Sequence, residues 1–461
     1  MPEDRHTTLP APDDHPVKVR LATEPMGMLG SLKVARRNLL ELIPEIATRQ
    51  PIVSGRTGVR WHMVMDPAAL RRVLIERLED YPKSDVTKNI LRPAIGESLF
   101  IAEGAHWRWQ RRTAAPVFSA RNIRDLAPIM TAAAERSADR IAARAGRAVD
   151  LNAEMIAATF EVIGEVTFAG EEAFDRDAVH TAIDQYIAQT ARVSILDILG
   201  LPGWVPRPMR LFNTDANRRM KRVADAAIEA RRAAGRGSGA PALIDLLMEG
   251  EDPKTGRRMT TGELRDNLLT FIVAGHETTA LTLSWALYLL AFDPDIQERV
   301  RDEARAVLGG RPAAGAEDVA SLVYTRQVIE ETLRLYPPAA FLSRTARAAD
   351  ELCGREVRPG DTVMLPIYAL HRNHDLWPDP DRFDPDRFAP GAERDRFAWL
   401  PFGDGPRICI GASFAMMEAV VILATLVARF RFRRVPGRDP RPVLILTLRP
   451  EGGVWLNVEP A

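Results

Sequence analysis

The chain has 461 residues, 46% of them hydrophobic and 27% charged, a composition that excludes disordered and fibrous classes and supplies a large apolar core. Lysine plus arginine and aspartate plus glutamate each number 62, so no overall charge draws the molecule to nucleic acid or to an anionic membrane, and any partner is recognised locally. The two cysteines, Cys353 and Cys409, make no disulfide framework, which suits a reducing compartment.

The opening residues are rich in Pro, Asp, His and Arg and contain neither an apolar run nor a cleavage site. Residues 1–25 are expected to form a flexible segment ahead of one folded unit over 26–461, since no linker or internal repeat divides the rest. The amphipathic stretch 26–47 reads as packing on the core, with contact to a membrane surface as the alternative. Apolar residues then recur at helical spacing over 67–78, 107–118, 123–145, 152–168, 215–233, 263–292, 296–308 and 328–336. Strand signals are confined to 60–65, 356–366 and 443–458, the last with Gly452-Gly453 as the expected hairpin tip. Cys353, in Glu351-Leu352-Cys353-Gly354-Arg355, reads as a bystander in a hairpin. Residues 375–405, dense in Pro, Asp and Phe, are expected to be a long ordered meander, and loops of that length are normally functional. The most membrane-like run, 278–292, is shorter than the roughly 20 residues a spanning helix needs. The expectation is a mainly α fold with small β-sheets, without an integral membrane anchor, in the cytoplasm.

Three constellations carry chemistry. The helix over 263–292 opens with Thr260-Thr261-Gly262-Glu263, a capping box. Its centre, Ala274-Gly275-His276-Glu277-Thr278-Thr279, places a glycine mid-helix at a cost of about 1 kcal/mol and adds two hydroxyls, a local conflict typical of a site. Gly275 lets something lie against the backbone, and Thr278 or Thr279 can bond back to an i−4 carbonyl and open the helix slightly. Glu331 and Arg334 share one helix face at i, i+3. Finally, Phe402-Gly403-Asp404-Gly405-Pro406-Arg407-Ile408-Cys409-Ile410-Gly411 precedes an apolar helical run over 412–430. The first amides of that helix face the Cys409 sulfur and favour the thiolate, which is what an iron ligand must be. Gly405 and Gly411 suit a tight backbone that a flat cofactor can approach, Arg407 offers a cation, and Phe402 shields the sulfur from water.

The Cys409 segment resembles the cysteine-ligand loop of the cytochrome P450 family, Phe-x-x-Gly-x-Arg-x-Cys-x-Gly, at Phe402, Gly405, Arg407, Cys409 and Gly411. The resemblance implies a single large cytochrome P450 fold over 26–461. It also implies haem b with the Cys409 thiolate as axial metal ligand, a ligation that pushes electron density toward O–O cleavage. The 274–279 segment matches the family's oxygen-binding motif. The implied roles are that Thr278 orients dioxygen and a water, Glu277 connects the pocket to proton delivery, and Gly275 and Thr279 complete the segment; His276 falls at a variable position. Glu331 and Arg334 resemble the family's Glu-x-x-Arg pair, joined by Arg387 from Phe383-Asp384-Pro385-Asp386-Arg387-Phe388 in a structural triad. Trp107 and Arg111 resemble the family's Trp-x-x-x-Arg on a propionate-binding helix. His106 is an additional donor there, and Arg344 and Arg407 complete the propionate cations.

By the same resemblance the protein is a haem-thiolate monooxygenase inserting one oxygen atom into a hydrophobic small molecule such as a fatty acid or terpenoid. No Gly-x-Gly-x-x-Gly follows a strand, and roughly fifty residues follow Cys409, so electrons are expected from a separate ferredoxin or flavodoxin with its reductase. The docking face is assigned to Arg108, Arg111, Arg112, Arg121 and Arg124. The pocket is assigned to 87–100, 187–201, 274–279, 339–342 and 448–452, with Lys88 and Arg92 weighed as carboxylate anchors against plain surface positions. A peroxide-driven hydroxylase and a haem-thiolate isomerase are the alternatives. Turnover with peroxide and no reductase marks the first, and the intact 274–279 segment argues against the second.

Overall fold

A computed structural model describes residues 8–9, 15–168, 214–235 and 241–461. Its helices are α1 (Met28–Ala35), α2 (Pro67–Arg71), α3 (Asp85–Ile95), α4 (Gly104–Ala114), α5 (Ala120–Ala142), α6 (Leu151–Phe168), α7 (Thr214–Ala234), α8 (Leu243–Glu249), α9 (Thr261–Phe292), α10 (Pro294–Leu308), α11 (Val323–Leu335), α12 (Ile367–Leu370) and α13 (Ala412–Arg429). The organising element is α9. It is apolar nearly all round, so it must be enclosed, and α6, α7, α11 and α13 pack against it. The expected capping box starts it: Glu263 N–H donates to Thr260 Oγ1 at 3.3 Å and Thr260 N–H to Glu263 Oε2 at 3.0 Å. α13 is the one described helix long and apolar enough to cross a membrane, yet 61% of it is buried inside the protein, as befits a core helix.

The sheets are small. β3 (Ile52–Thr57), β4 (Val59–Val64), β9 (Thr362–Leu365) and β6 (Leu342–Thr345) form one sheet in that order, with β4 and β9 parallel. β10 (Phe430–Arg434), β13 (Trp455–Pro460) and β5 (Ala148–Asp150) form another. Of the two-stranded ladders, β1 (Thr8–Leu9) pairs with β2 (Lys18–Val19), β7 (Asp350–Leu352) with β8 (Arg355–Val357), and β11 (Arg441–Leu444) with β12 (Leu448–Glu451). The mainly helical expectation and most helix positions hold.

Several local expectations do not. Residues 67–78 form α2, a π-helical turn over Arg72–Glu76 and a 3-10 turn over Leu78–Asp80 in place of one helix. Gly452 and Gly453, at φ 90° and 82°, link strands of different sheets and are not a hairpin tip; the β11–β12 turn lies at 445–447. α3 escaped the periodicity reading because Pro93 sits inside it. The segment expected to be loose up to residue 25 is tied down from Val17 onward. Val17 and Val19 are buried, with Val17 N–H donating to Tyr288 OH at 3.1 Å, Tyr336 OH to Val17 C=O at 2.5 Å, and Val19 N–H to Tyr368 OH at 3.1 Å.

The long meander between α12 and α13 holds its shape through one buried cation. Arg334, fully buried on α11, donates to Glu331 Oε2 and Oε1 at 2.6 and 2.8 Å, and to the carbonyls of His371 (2.8 Å), Pro380 (2.6 Å) and Arg382 (3.0 Å). Glu331 Oε1 also accepts Asp384 N–H at 2.9 Å and faces Arg387 Nε at 3.6 Å. Of the five hydrogen bonds this guanidinium donates, two hold the Glu331 carboxylate and three fix carbonyls that no regular structure satisfies. Arg334→Leu leaves Glu331 as a buried charge and is expected to cost about 3–5 kcal/mol in the urea unfolding free energy. The Glu331→Leu/Arg334→Leu double variant recovers little of this, because the three carbonyls stay unbonded.

Candidate functional site

A cavity of about 1460 Å³ lies between α9 and the Cys409 loop. The loop is shaped from outside. Gly405 has φ +70°, and a Cβ there would stand 2.5 Å from the Leu74 carbonyl of the π-helical turn, so only glycine lets the loop lie on that turn. Gly403 N–H donates to Leu400 C=O at 3.0 Å and Cys409 N–H to Phe402 C=O at 2.9 Å. Gly411 differs from expectation: its φ of −92° suits any residue, and a Cβ there would meet only Phe118, at 3.9 Å. What Gly411 offers is space beside the cavity, which it lines together with Phe402 and Arg407.

Cys409 opens onto the cavity, and its exposed area is cavity wall. Burial pushes its thiol pKa up, against the pull of the Gly411 N–H and of the Arg111 and Lys83 cations. The helix-terminal amides alone therefore do not make the thiolate that the sequence suggested; a metal ion bonded to the sulfur would.

Positive charge collects on the same side. Arg344, buried, and Trp107, Arg111, Arg407 and Lys83 all line the cavity. Burial, then Arg344 and Arg407, hold the Lys83 ammonium well below the usual lysine value, and burial with Arg407 brings Arg344 down to about 10. Burial also lowers Arg111 and Arg407. Arg407 stacks over Trp107 at 4.1 Å from the ring centroid, donates to Ala102 C=O at 2.7 Å and pairs with Glu103. Glu103 is the one carboxylate set against this group of cations in the shifts of Lys83, Arg344 and Arg407 alike. An excess of cations beside a thiol, in a wide cavity with glycine walls, fits a flat group carrying a metal and two carboxylates, as haem does.

On the opposite wall Thr278 Oγ1 donates to Ala274 C=O at 2.8 Å, the expected back-bond, and α9 runs on without a break. Space at Gly275 is partly taken by α6, since a Cβ would meet Ile163 at 3.1 Å. Glu277 is buried; its Oε1 accepts Thr447 Oγ1–H at 2.8 Å and pairs with Arg449. Thr279 is hydrogen-bonded to Glu418 of α13, whose carboxyl burial raises to about 8. Glu418 Oε1 has no hydrogen-bond partner among the described residues. His276, buried, lies against Phe160 at 5.6 Å between ring centroids.

The cavity brings together Cys409, Phe402, Arg407, Gly411, Trp107, Arg111, Arg344, Gly275, Glu277, Thr278 and Thr279. It does not include His106, whose ring is held on α4 by Trp109 (3.2 Å) and Gln110 (2.9 Å). Of the expected pocket stretches, parts of 87–100, 274–279 and 339–342 line it, whereas 448–452 gives way to 444–447 because Leu448 turns into the core. Residues 187–201 lie outside the described residues. Lys88 pairs with Asp85 at 3.5 Å and Arg92 with Glu97 at 2.6 Å, away from the cavity. Arg112 is not a free docking cation: it grips the buried Asp252 at 2.6 and 2.7 Å. Sequence reasoning missed Lys83, Thr447 and Glu418, which stand in no motif used for the reading, and included Arg449 only as part of the 448–452 stretch; a glutamate inside the apolar 412–430 run was the one visible sign.

A profile described as Cytochrome P450 matches residues 25–457. The chain is 34% identical, over 93% of its length and 92% of the relative's, to cyclooctat-9-en-7-ol 5-monooxygenase of Streptomyces melanosporofaciens. It is 33% identical, over 79% of its length and 72% of the relative's, to a cytokinin hydroxylase of Arabidopsis thaliana. The crystal structure of the cytochrome P450DA heme domain superposes with a TM-score of 0.78 at 25% identity, over 89% of this chain and 90% of that one.

Glu418 gives the site a pH signature. Its folded pKa lies above the unfolded value, so the native state holds a proton that the unfolded state releases between pH 4.5 and about 8. Stability is therefore expected to fall as pH rises through that window, by up to about tenfold in the unfolding constant per pH unit. Glu418→Gln removes this slope, which urea titrations at pH 5, 6.5 and 8 measure.

Proposed function

The chain belongs to the cytochrome P450 family and is a monooxygenase-type oxidoreductase, and from that premise we propose that it inserts one atom of dioxygen into a hydrophobic small molecule bound between α9 and the Cys409 loop. The observation that carries this reading is that Cys409 and the 274–279 segment line one cavity from opposite walls. Bound through the Cys409 thiolate, haem b would supply the activation of dioxygen that side chains lack.

The protein's own residues supply the rest. Cys409 would provide the sulfur that holds the metal, and Phe402 and Ile410, also in the wall, keep water from it. Arg111, Arg344, Arg407 and Lys83 would hold the two carboxylates of the cofactor and so recover the interaction energy that burial costs them. With its hydrogen committed to Ala274 C=O, the Thr278 hydroxyl presents lone pairs and holds a cavity water as an acceptor. Glu277, buried on the wall, joins that water to solvent through Arg449, whose side chain is 33% exposed. Ile90, Leu91, Leu99, Phe271, Phe341 and Leu446 bind the substrate by apolar contact. A relative named for acting on cyclooctat-9-en-7-ol supports a terpenoid-like substrate over a fatty acid, as does the pairing of Lys88 and Arg92 with surface carboxylates. That Cys353 and Cys409 form no disulfide accords with the cytoplasm.

Electrons come, in this reading, from a ferredoxin or flavodoxin and its reductase. Arg121 and Arg124, both exposed with no carboxylate partner among the described contacts, and Arg108, paired only at the surface with Glu79, form the docking cations.

The ferrous carbonyl adduct tests the ligand: wild type is expected to show the strongly red-shifted Soret band of thiolate ligation, and Cys409→Ser to lose it. Thr278→Ala is expected to leave that band in place and to lower product formed per electron pair by about fivefold or more, read as product against reductant consumed. The Arg121→Glu/Arg124→Glu double variant is expected to slow reduction by an acidic ferredoxin about tenfold at low salt, with the difference closing at high salt in stopped-flow records.

A further inference from the structure

His371 is fully buried at the C-terminus of α12, away from the cavity wall, and no role above uses its ring. Its two nitrogens face groups that leave it one protonation state. Leu400 N–H donates to Nε2 at 2.9 Å, so Nε2 carries a lone pair. Nδ1 lies 3.1 Å from the Arg334 carbonyl, which can only accept, so Nδ1 carries the hydrogen. The ring is thus a neutral bridge between α11 and the residue that leads into the Cys409 loop.

Both ends of the bridge are anchored. Arg334, besides offering its carbonyl to the ring, donates its guanidinium to His371 C=O at 2.8 Å. From Leu400 the bonding continues: Leu400 C=O accepts Gly403 N–H at 3.0 Å, and Phe402 C=O accepts Cys409 N–H at 2.9 Å. The charged groups about the ring are Arg334, answered by Glu331, and Arg372, which faces Asp381 at 3.3 Å. Burial, then Arg334 and Arg372, hold the imidazole pKa down to about 3, so the bridge stays neutral at physiological pH.

We propose that His371 is a positioning residue for the Cys409 sulfur: by accepting the Leu400 N–H it fixes where the 400–409 segment stands relative to α11, and so the place and bonding of Cys409. This rests on the reading of Cys409 as the haem ligand. The alternative, a histidine that merely fills and satisfies the core, predicts lost stability without any change at the sulfur.

Three variants separate these. In His371→Gln the carboxamide oxygen reaches the Nε2 position and keeps the Leu400 bond. His371→Asn keeps a donor toward Arg334 C=O but is too short for Leu400, and His371→Leu keeps neither. The readouts are the ferrous carbonyl Soret band of the purified holoprotein and hydrogen exchange at the Leu400 amide. Asn and Leu are expected to speed that exchange about tenfold and to lose part of the thiolate-type band, while Gln retains both. Equal thiolate-type fractions in Gln, Asn and Leu, with only melting temperatures differing, overturn the proposal. If the variants do not fold, nitrogen-15 spectra of wild type decide: a ring protonated at Nε2 at pH 7 overturns it, and an Nδ1–H tautomer with a slowly exchanging Leu400 amide supports it. A wild-type protein without the thiolate-type band would instead refute the ligand assignment itself, a different outcome from any of these.

Discussion

One fully buried ion pair underlies the architecture that matters here. Arg334 and Glu331 are both removed from water, and a pair so placed is stable only if every remaining donor and acceptor finds a partner. The meander supplies those partners as backbone carbonyls and an amide, which is why some thirty residues of irregular chain between Asp375 and Gly405 can be ordered at all. The cysteine loop hangs from the end of that meander. Its geometry is inherited from a salt bridge that never approaches the cavity.

The electrostatics of the cavity follow a different logic. Close cations raise one another's free energy, and burial denies them water; both effects appear in the lowered affinities of Lys83 and Arg344 for their protons. A protein tolerates such a cluster where a bound anion relieves it. The same region holds a thiol whose proton is kept on by burial. An excess of cations over the one Glu103 carboxylate and a retained proton on sulfur are the two imbalances that, in the proposed reading, a bound haem would settle.

Much of this was legible in the sequence, because the informative residues there contradict their local surroundings. A glycine and two threonines inside α9, and a cysteine between glycines before an apolar helix, break propensity for a reason that single positions reveal. What stayed hidden depends on distant pairing. Lys83 reaches the cavity because residue 83 bridges to Arg344 in an isolated β contact, and no spacing along the chain encodes that. Arg449 and Thr447 meet Glu277 across 170 residues or more. His106 matched a plausible donor pattern, yet α4 turns its ring onto Trp109 and Gln110, a choice of helix face that a single residue cannot announce. The 443–458 segment was rightly seen as β-rich, but which strands pair is decided by the sheet that β10 and β5 bring to β13.

The segment around β2 carries a practical implication for anyone preparing this protein. The hydroxyls of Tyr288 on α9, Tyr336 just past the end of α11 and Tyr368 on α12 all close on the backbone of residues 17–19. Removing that short piece by trimming, or displacing it with a fused tag, would strand three phenols in a dry interior, at about 1–3 kcal/mol for each one left without a partner. The segment 17–19 thus works as a fastener for the helices behind it, and expression boundaries set by eye at the first long helix would discard it.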